Sequence, residues 1–385
     1  MIVKQASRLD HVQEYYFSHK LREVAKMNQE GKNVINLGIG KPDLPPPPSA
    51  IKSLNSSANN FSHHGYQSYA GIPELREAFA KWYKNKYHVE LKSTSEILPL
   101  IGSKEGIMHI TMSFLEQGDE VLIPNPGYPA YASAAKLSGA SCTYYNLEEE
   151  SGWLPNLREL KALDLSNVKM MWINYPHMPT GARADRTIMK KLVNFCAANQ
   201  ILLCHDNPYS FILNEDPFSI LSVEGAKNCA LELNSLSKSH NMSGWRVGML
   251  AGAAEYIQTV LKFKSNMDSG MFRAVQDGAI AALEVDDSWY TTLTNKYKAR
   301  KAVAEKIIEL LDCQYKPDQS GMFLWARISN EYEDAKALAD EILYGAHVFI
   351  TPGSIFGSNG DRYIRISLCQ SQEVIAEAYD RIKQF

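Results

Sequence analysis

No run of apolar residues in this chain of 385 approaches the roughly 18 that a membrane span requires. The opening stretch, MIVKQASRLDHVQEYY, interrupts its apolar residues with charges, where a secretory leader needs an unbroken apolar core. Paired cysteines are also missing: Cys142, Cys196, Cys204, Cys229, Cys313 and Cys369 lie scattered, with no C-x-x-C among them. That spacing argues against a zinc site and suits reduced thiols, so the expectation is a cytoplasmic protein without a metal. A surplus of one charge is absent too. Lys and Arg number 40 against 43 Asp and Glu, a formal net charge of −3, which gives no sign of a nucleic-acid or anionic-membrane partner. Internal repeats do not occur, and the one biased tract is DLPPPPSA at 43–50. Its four prolines read as a stiff, extended connector rather than as a ligand for a proline-recognising domain.

What the chain does contain is core material, 45% hydrophobic residues, enough for one large domain or two ordinary ones. HVQEYYFSHKLREVAKMNQEGK (11–32) has apolar residues at helical spacing and a glycine stop at Gly31. From residue 74 onward, helical patterns alternate with short runs that are apolar throughout: EILPLIG, EVLIPNPGY, SCTYYNL, VKMMWINYP, ILLCHDNPY, LELNSLSK and RVGMLAG. Strands without polar alternation fit a mostly parallel sheet covered on both faces, an α/β fold. After about residue 285 a long helical stretch, GMFLWARIS, a further helix and YIRISLC suggest a smaller α+β unit. The expected division is an arm at 1–45, a large domain at 46–284 and a small domain at 285–385.

Open α/β sheets bind ligands at the carboxyl ends of their strands. Gly102, Ser103, Tyr128, Asn174, Asp206 and Lys238 all fall at such ends. Gly102, Ser103 and Lys104 open a helix directly after a strand, where backbone N–H groups and the helix dipole favour an anion. In SLSKSHNMSGWRVG (235–248), Ser235, Ser237 and Arg246 surround Lys238 with groups suited to a phosphate. Kept partly desolvated beside another cation, a lysine amine becomes a nucleophile at neutral pH. Asp206, with Tyr209 three residues on, could cap a helix or could hold a pyridine nitrogen protonated. A lysine, a buried acid and two phosphate-type sites are together what pyridoxal phosphate asks of a protein.

SLSKSHNMSGWRVG resembles the cofactor-attachment signature of class I and II aminotransferases, members of the fold-type-I superfamily. INLGIGKPD (35–43), YQSYAGIPELREAFAKWY (66–83), VLIPNPGYPAY (121–131), YPHMPTGA (175–182) and ITPGSIFGSNGDRYIRISL (350–368) are similar to further motifs of that family, in its order. The resemblance implies pyridoxal 5′-phosphate as cofactor and Lys238 as its Schiff-base lysine. It implies Asp206 at the pyridine nitrogen, Tyr209 at the ring oxygen and Tyr128 stacked on the ring. Gly102, Ser103, Lys104, Ser235 and Arg246 would hold the phosphate. Arg365, helped by backbone near Gly40, would grip the carboxylate of an amino-acid or 2-oxo-acid substrate. Tyr66 would reach the phosphate of a neighbouring subunit in a homodimer with shared sites.

One position departs from the family. Met178 stands where the loop carries an asparagine that donates to the cofactor and the carboxylate, and a thioether cannot donate. His177 beside it is the candidate substitute. The implied reaction is ping-pong transfer of an amino group. A carbon–sulfur β-lyase or a cyclopropane-forming synthase of the same fold would use the same first set of residues. A transcriptional regulator binding the same cofactor would need a basic module ahead of NLGIG, and that arm has no basic cluster. FKSNMDSGMFRAVQDGAIAALE (263–284) is similar to the matching segment of diaminopimelate-, alanine- and aspartate-type members. Arg273 within it is the arginine to consider for a side-chain carboxylate.

Overall fold

The computed structural model describes every residue except 1, 11, 13 and 15. Its framework is a seven-stranded sheet formed by β2 (Ile97–Leu100), β3 (Glu120–Asn125), β4 (Ser141–Asn146), β5 (Val168–Asn174), β6 (Leu202–Asp206), β7 (Ala230–Ser235) and β8 (Gly248–Gly252). Their order is β2-β8-β7-β6-β5-β3-β4. All neighbours pair in parallel except β8, which runs antiparallel to both β2 and β7. The strand runs are apolar throughout because both faces are covered. Leu122, Met171, Ile173 and Leu203 join one hydrophobic cluster, while Val121, Ile123, Met170 and Trp172 join a second. This is the mostly parallel α/β sheet expected.

A separate antiparallel sheet of order β12-β13-β10-β9 comprises β9 (Gln314–Tyr315), β10 (Phe323–Arg327), β12 (Thr351–Pro352) and β13 (Tyr363–Ser367). The N-terminal segment crosses to it: β1 (Ile35–Asn36) pairs in parallel with β11 (Val348–Phe349). Beyond β1 the chain continues along β13, where Ser367 N–H donates to Leu37 O at 2.7 Å and the Ser367 hydroxyl to Ile39 O at 2.8 Å. Residues 37–40 therefore run beside the small sheet, with Gly40 O alone of their carbonyls accepting, among the described residues, from a residue that follows the large sheet, Lys238.

The helix expected over 11–32 is formed at Tyr16–Gln29 and closes at Gly31, whose φ of +84° suits glycine. Residues 11, 13 and 15 of that stretch lie outside the described residues. The proline tract departs from a purely extended connector, because Pro48 is the first residue of helix Pro48–Ala58. Its fixed φ and missing N–H cost nothing at that position.

Behind the site lies a buried polar knot. Glu232, within β7 and without solvent exposure, accepts from Tyr83 O–H at 2.7 Å and from Ile220 N–H at 2.8 Å. His205 Nδ1 lies 2.8 Å from Oε2, the oxygen that also accepts from Ile220, and its Nε2 lies 3.0 Å from Tyr175 O. Deleting this carboxylate leaves buried donors without a partner. Glu232→Ala is expected to destabilise the protein by about 3–5 kcal/mol. A lower urea midpoint would show it, and an unchanged midpoint would contradict the account.

Candidate active site

The large sheet delivers its chemistry at one end. β6 finishes on Asp206, β7 on Ser235 and β5 on Asn174. After β2 the chain turns through Gly102, φ +88°, into helix Ser103–Phe114. A Cβ at Gly102 would collide with the Arg246 guanidinium, so this close approach requires glycine. Ser235 caps the short helix Leu236–Ser239 by accepting from Ser237 N–H at 3.1 Å, and that turn carries Lys238 inward.

These ends open into a cavity of about 430 Å³. Ser103, Lys104, Ser235 and Arg246 line one part of it, with Tyr128, Asp206, Tyr209 and Lys238 beside them, then Gly40 and Arg365. The sequence-derived set is thus brought together, with two exceptions. Gly102 stands directly behind, shaping the approach of Arg246. Tyr66 is 94% exposed and does not line the cavity. A larger groove of about 940 Å³ lies elsewhere, walled by surface charges such as Lys81, Lys86, Asp286 and Lys298, and no strand end lines it.

Asp206 is the most unusual group. One carboxylate oxygen accepts from Tyr131 O–H at 2.9 Å, whereas Oδ1 is buried with no hydrogen-bond partner among the described residues. Burial pushes the carboxyl up to about 6, while the Tyr131 hydroxyl and the neighbouring His205 pull it down. Tyr131 is itself held by stacking on Trp172, with ring centres 4.8 Å apart. Lys238 donates to Gly40 O. Burial chiefly lowers its amine below the usual lysine value, with Arg365 and Arg246 adding to the effect against an opposing influence of Cys369. Desolvation and the charge of Arg246 lower Lys104 likewise.

Arg365 enters from β13, buried rather than turned to solvent. Its guanidinium carbon lies 3.9 Å from the ring centre of Phe323 and 4.6 Å from that of Phe356. Nη2 donates to Gly38 O at 2.7 Å and Nη1 to the Met178 sulfur at 3.2 Å. His177 does not take the place of the missing asparagine. It is buried outside the cavity lining, with Nδ1 2.8 Å from the Thr180 hydroxyl, and burial lowers its pKa to about 3. Arg273 is also elsewhere, paired with Asp277 at 3.0 Å.

Sequence reasoning missed Tyr131 and Phe17. The spacing of Tyr128 and Tyr131 at i and i+3, at the start of helix Ala130–Ser138, could have pointed to the first. Phe17 lay hidden among the apolar positions of an amphipathic arm helix.

A profile of the aminotransferase class I and II family matches residues 32–382. The chain belongs to the class I and II aminotransferases. An LL-diaminopimelate aminotransferase of Dehalococcoides mccartyi is 37% identical over 382 residues, covering 99% of this chain and 98% of that one. The enzyme of that name from Aquifex aeolicus is 37% identical over 380 residues, covering 98% of each. Among solved structures, substrate-bound BacF from Bacillus subtilis superposes with a TM-score of 0.95 at 35% identity, over 99% of this chain and 98% of that one. Aspartate aminotransferase from Thermus thermophilus, at 21% identity and a TM-score of 0.92 with 99% of both chains covered, shares the fold. This aminotransferase therefore moves amino groups from amino acids to 2-oxo acids on a fold-type-I scaffold.

The Asp206 geometry has a measurable consequence in the cofactor-free protein. A folded value of about 6 lies above the usual aspartate value, so between about pH 4 and 6 the folded chain keeps a proton that the unfolded chain has lost. Stability then falls as pH rises through that window. Asp206→Asn should abolish this decline, a relative gain of about 3 kcal/mol by pH 7 in urea unfolding. Parallel pH profiles for the two proteins would contradict the assignment.

Proposed function

We propose that this aminotransferase works with pyridoxal 5′-phosphate bound in the 430 Å³ cavity, using Lys238 as the amine that holds it. The observation that carries the reading is a partly desolvated Lys238 amine sharing one cavity with the unpartnered Oδ1 of buried Asp206. A buried acceptor without a donor is costly unless a ligand supplies one, and a protonated pyridine nitrogen is such a donor. When bound, the cofactor supplies an electron sink for charge developing at the substrate α-carbon.

The remaining chemistry belongs to the chain. Lys238, lowered by burial, carries a proton to and from the α-carbon. Asp206 keeps the ring nitrogen charged, oriented by the Tyr131 hydroxyl and favoured as an anion by His205. Tyr209 and Tyr128, which line the cavity, would donate to the ring oxygen and cover a ring face. Ser103, Lys104, Ser235 and Arg246 hold the phosphate, with Gly102 permitting the approach. Arg365, flattened between Phe323 and Phe356, receives the α-carboxylate beside Gly40. Both half-reactions use this one site, so donor and acceptor alternate there.

We also propose a homodimer in the cytoplasm. Lys104 and Arg246 are exposed at the phosphate end, and the exposed aromatic residues Phe61, Tyr66, Tyr69 and Phe272 suit a second copy that brings Tyr66 to that phosphate. Six free cysteines are in keeping with a reducing compartment.

Lys238→Ala is expected to lower amino transfer by at least about 10³-fold. Retained transfer would overturn the proposal, and ammonia release without a 2-oxo acid acceptor would favour the lyase reading. Met178 offers a sulfur acceptor and no donor. Met178→Asn should therefore shift the pH midpoint of the bound cofactor's visible band downward, because a donor to the ring oxygen favours its anionic form. An unmoved midpoint would remove Met178 from that role.

A further inference from the structure

We infer that His109 and Asp268 are positioning residues for the phosphate seat, acting by keeping the Glu105 carboxylate turned away from it. This inference rests on the function proposed above and concerns the phosphate end of that site.

The seat carries its own competitor. Helix Ser103–Phe114 opens on Gly102, which has no side chain to cap it. Its first backbone N–H groups are thereby left for an anion, and the helix dipole favours one there. Ser103 and Lys104 line the cavity at this point. Glu105 stands in the same first turn. A carboxylate there draws on the same dipole, and one facing the seat would repel a phosphate and take its donors. The fold turns it the other way. Glu105 Oε2 accepts from Ile101 N–H at 2.6 Å, and Oε1 lies 3.2 Å from Nε2 of His109, one turn along the helix.

His109 is wholly buried, and among the described residues neither ring nitrogen has a hydrogen-bond partner, so the 3.2 Å contact is close but not aligned. Asp268 joins it from the segment after helix Ala254–Lys264. Its Oδ1 accepts from Lys264 Nζ and from Gly270 N–H, both at 2.8 Å, while Oδ2 is buried with no partner among the described residues. Glu105, His109 and Asp268 each bring one such atom within 4.8 Å of the others. A set of this kind can hold a divalent cation, but Lys264, its side chain 2% exposed, already brings a positive charge to Asp268. A second cation would sit beside a buried ammonium. An imidazole N–H between two carboxylates meets the need without that repulsion, because buried acceptors require a donor. The side chains of His109, Asp268 and Glu105 are 0%, 11% and 14% exposed, so the cluster is closed within one chain and leaves a second copy little access to it. Without His109, the Glu105 carboxylate gains freedom to swing toward the seat.

The test titrates the full-length protein, freed of cofactor, with pyridoxal 5′-phosphate and with unphosphorylated pyridoxal, following the visible band. His109→Ala should weaken binding of the phosphorylated form about tenfold and leave pyridoxal binding unchanged. Glu105→Gln keeps an oxygen for Ile101 N–H and loses the charge. Alone it should bind pyridoxal 5′-phosphate at least as tightly as the unaltered protein, and added to His109→Ala it should restore the lost affinity. An equal loss for both ligands in His109→Ala would show general damage and overturn the inference. A double variant no tighter than His109→Ala would do the same, as would weaker binding by Glu105→Gln, which reads the competition even where His109→Ala does not fold. A stoichiometric divalent ion in the purified protein, measured by elemental mass spectrometry, would make the cluster a metal centre and also overturn it. No binding of pyridoxal 5′-phosphate by the unaltered protein would instead overturn the function on which the inference rests.

Discussion

The site depends on one buried carboxylate. Asp206 ends a central strand, buried, and among the described residues only one of its oxygens has a donor. An ionised group in that position needs compensation, which comes from Tyr131, from His205 next to it in the strand, and from the ring nitrogen of the proposed cofactor. The supports extend deep into the molecule. Tyr131 is fixed by Trp172, and His205 by Glu232, which is fixed in turn by Tyr83 and the backbone of Ile220. Chemistry at the strand ends is thus tied to the polar centre of the large sheet.

The second constraint is the crossing of residues 37–40 between the two sheets. Gly40 O receives Lys238 from the large sheet, and Gly38 O receives Arg365 from the small one. A Cβ at Gly40 would strike Phe323, so the crossing is held close by glycine. The segment that accepts these two cations follows β1 and the N-terminal helix, which also brings Phe17 and Leu21 to the cavity. Amine, carboxylate clamp and the Phe17–Leu21 side of the cavity are therefore positioned by one continuous segment. Movement of the arm would alter all three.

Much of this was legible in the residues. The apolar strand runs announced a doubly covered sheet because a parallel strand buried on both faces has no polar positions to show. Lys238, Asp206, Arg246 and Arg365 could be found because their types and order match a known pattern. Tyr131 escaped because an aromatic residue on a helix reads as core, and here it is core and hydrogen-bond donor at once. The fate of His177 was not legible either, since its turn toward Thr180 is decided by packing and not by its neighbours in sequence. Pro48 shows a smaller version of the same limit: four consecutive prolines read as extended, yet the last one is well suited to begin a helix.

The central claim is that the Lys238 amine, and no other lysine, holds the cofactor. Reduction of the cofactor-loaded protein with borohydride, followed by peptide mapping by mass spectrometry, examines that bond directly. The account predicts a pyridoxyl label on the peptide containing Lys238. A label on another lysine, or loaded protein that yields no covalent label, would contradict it.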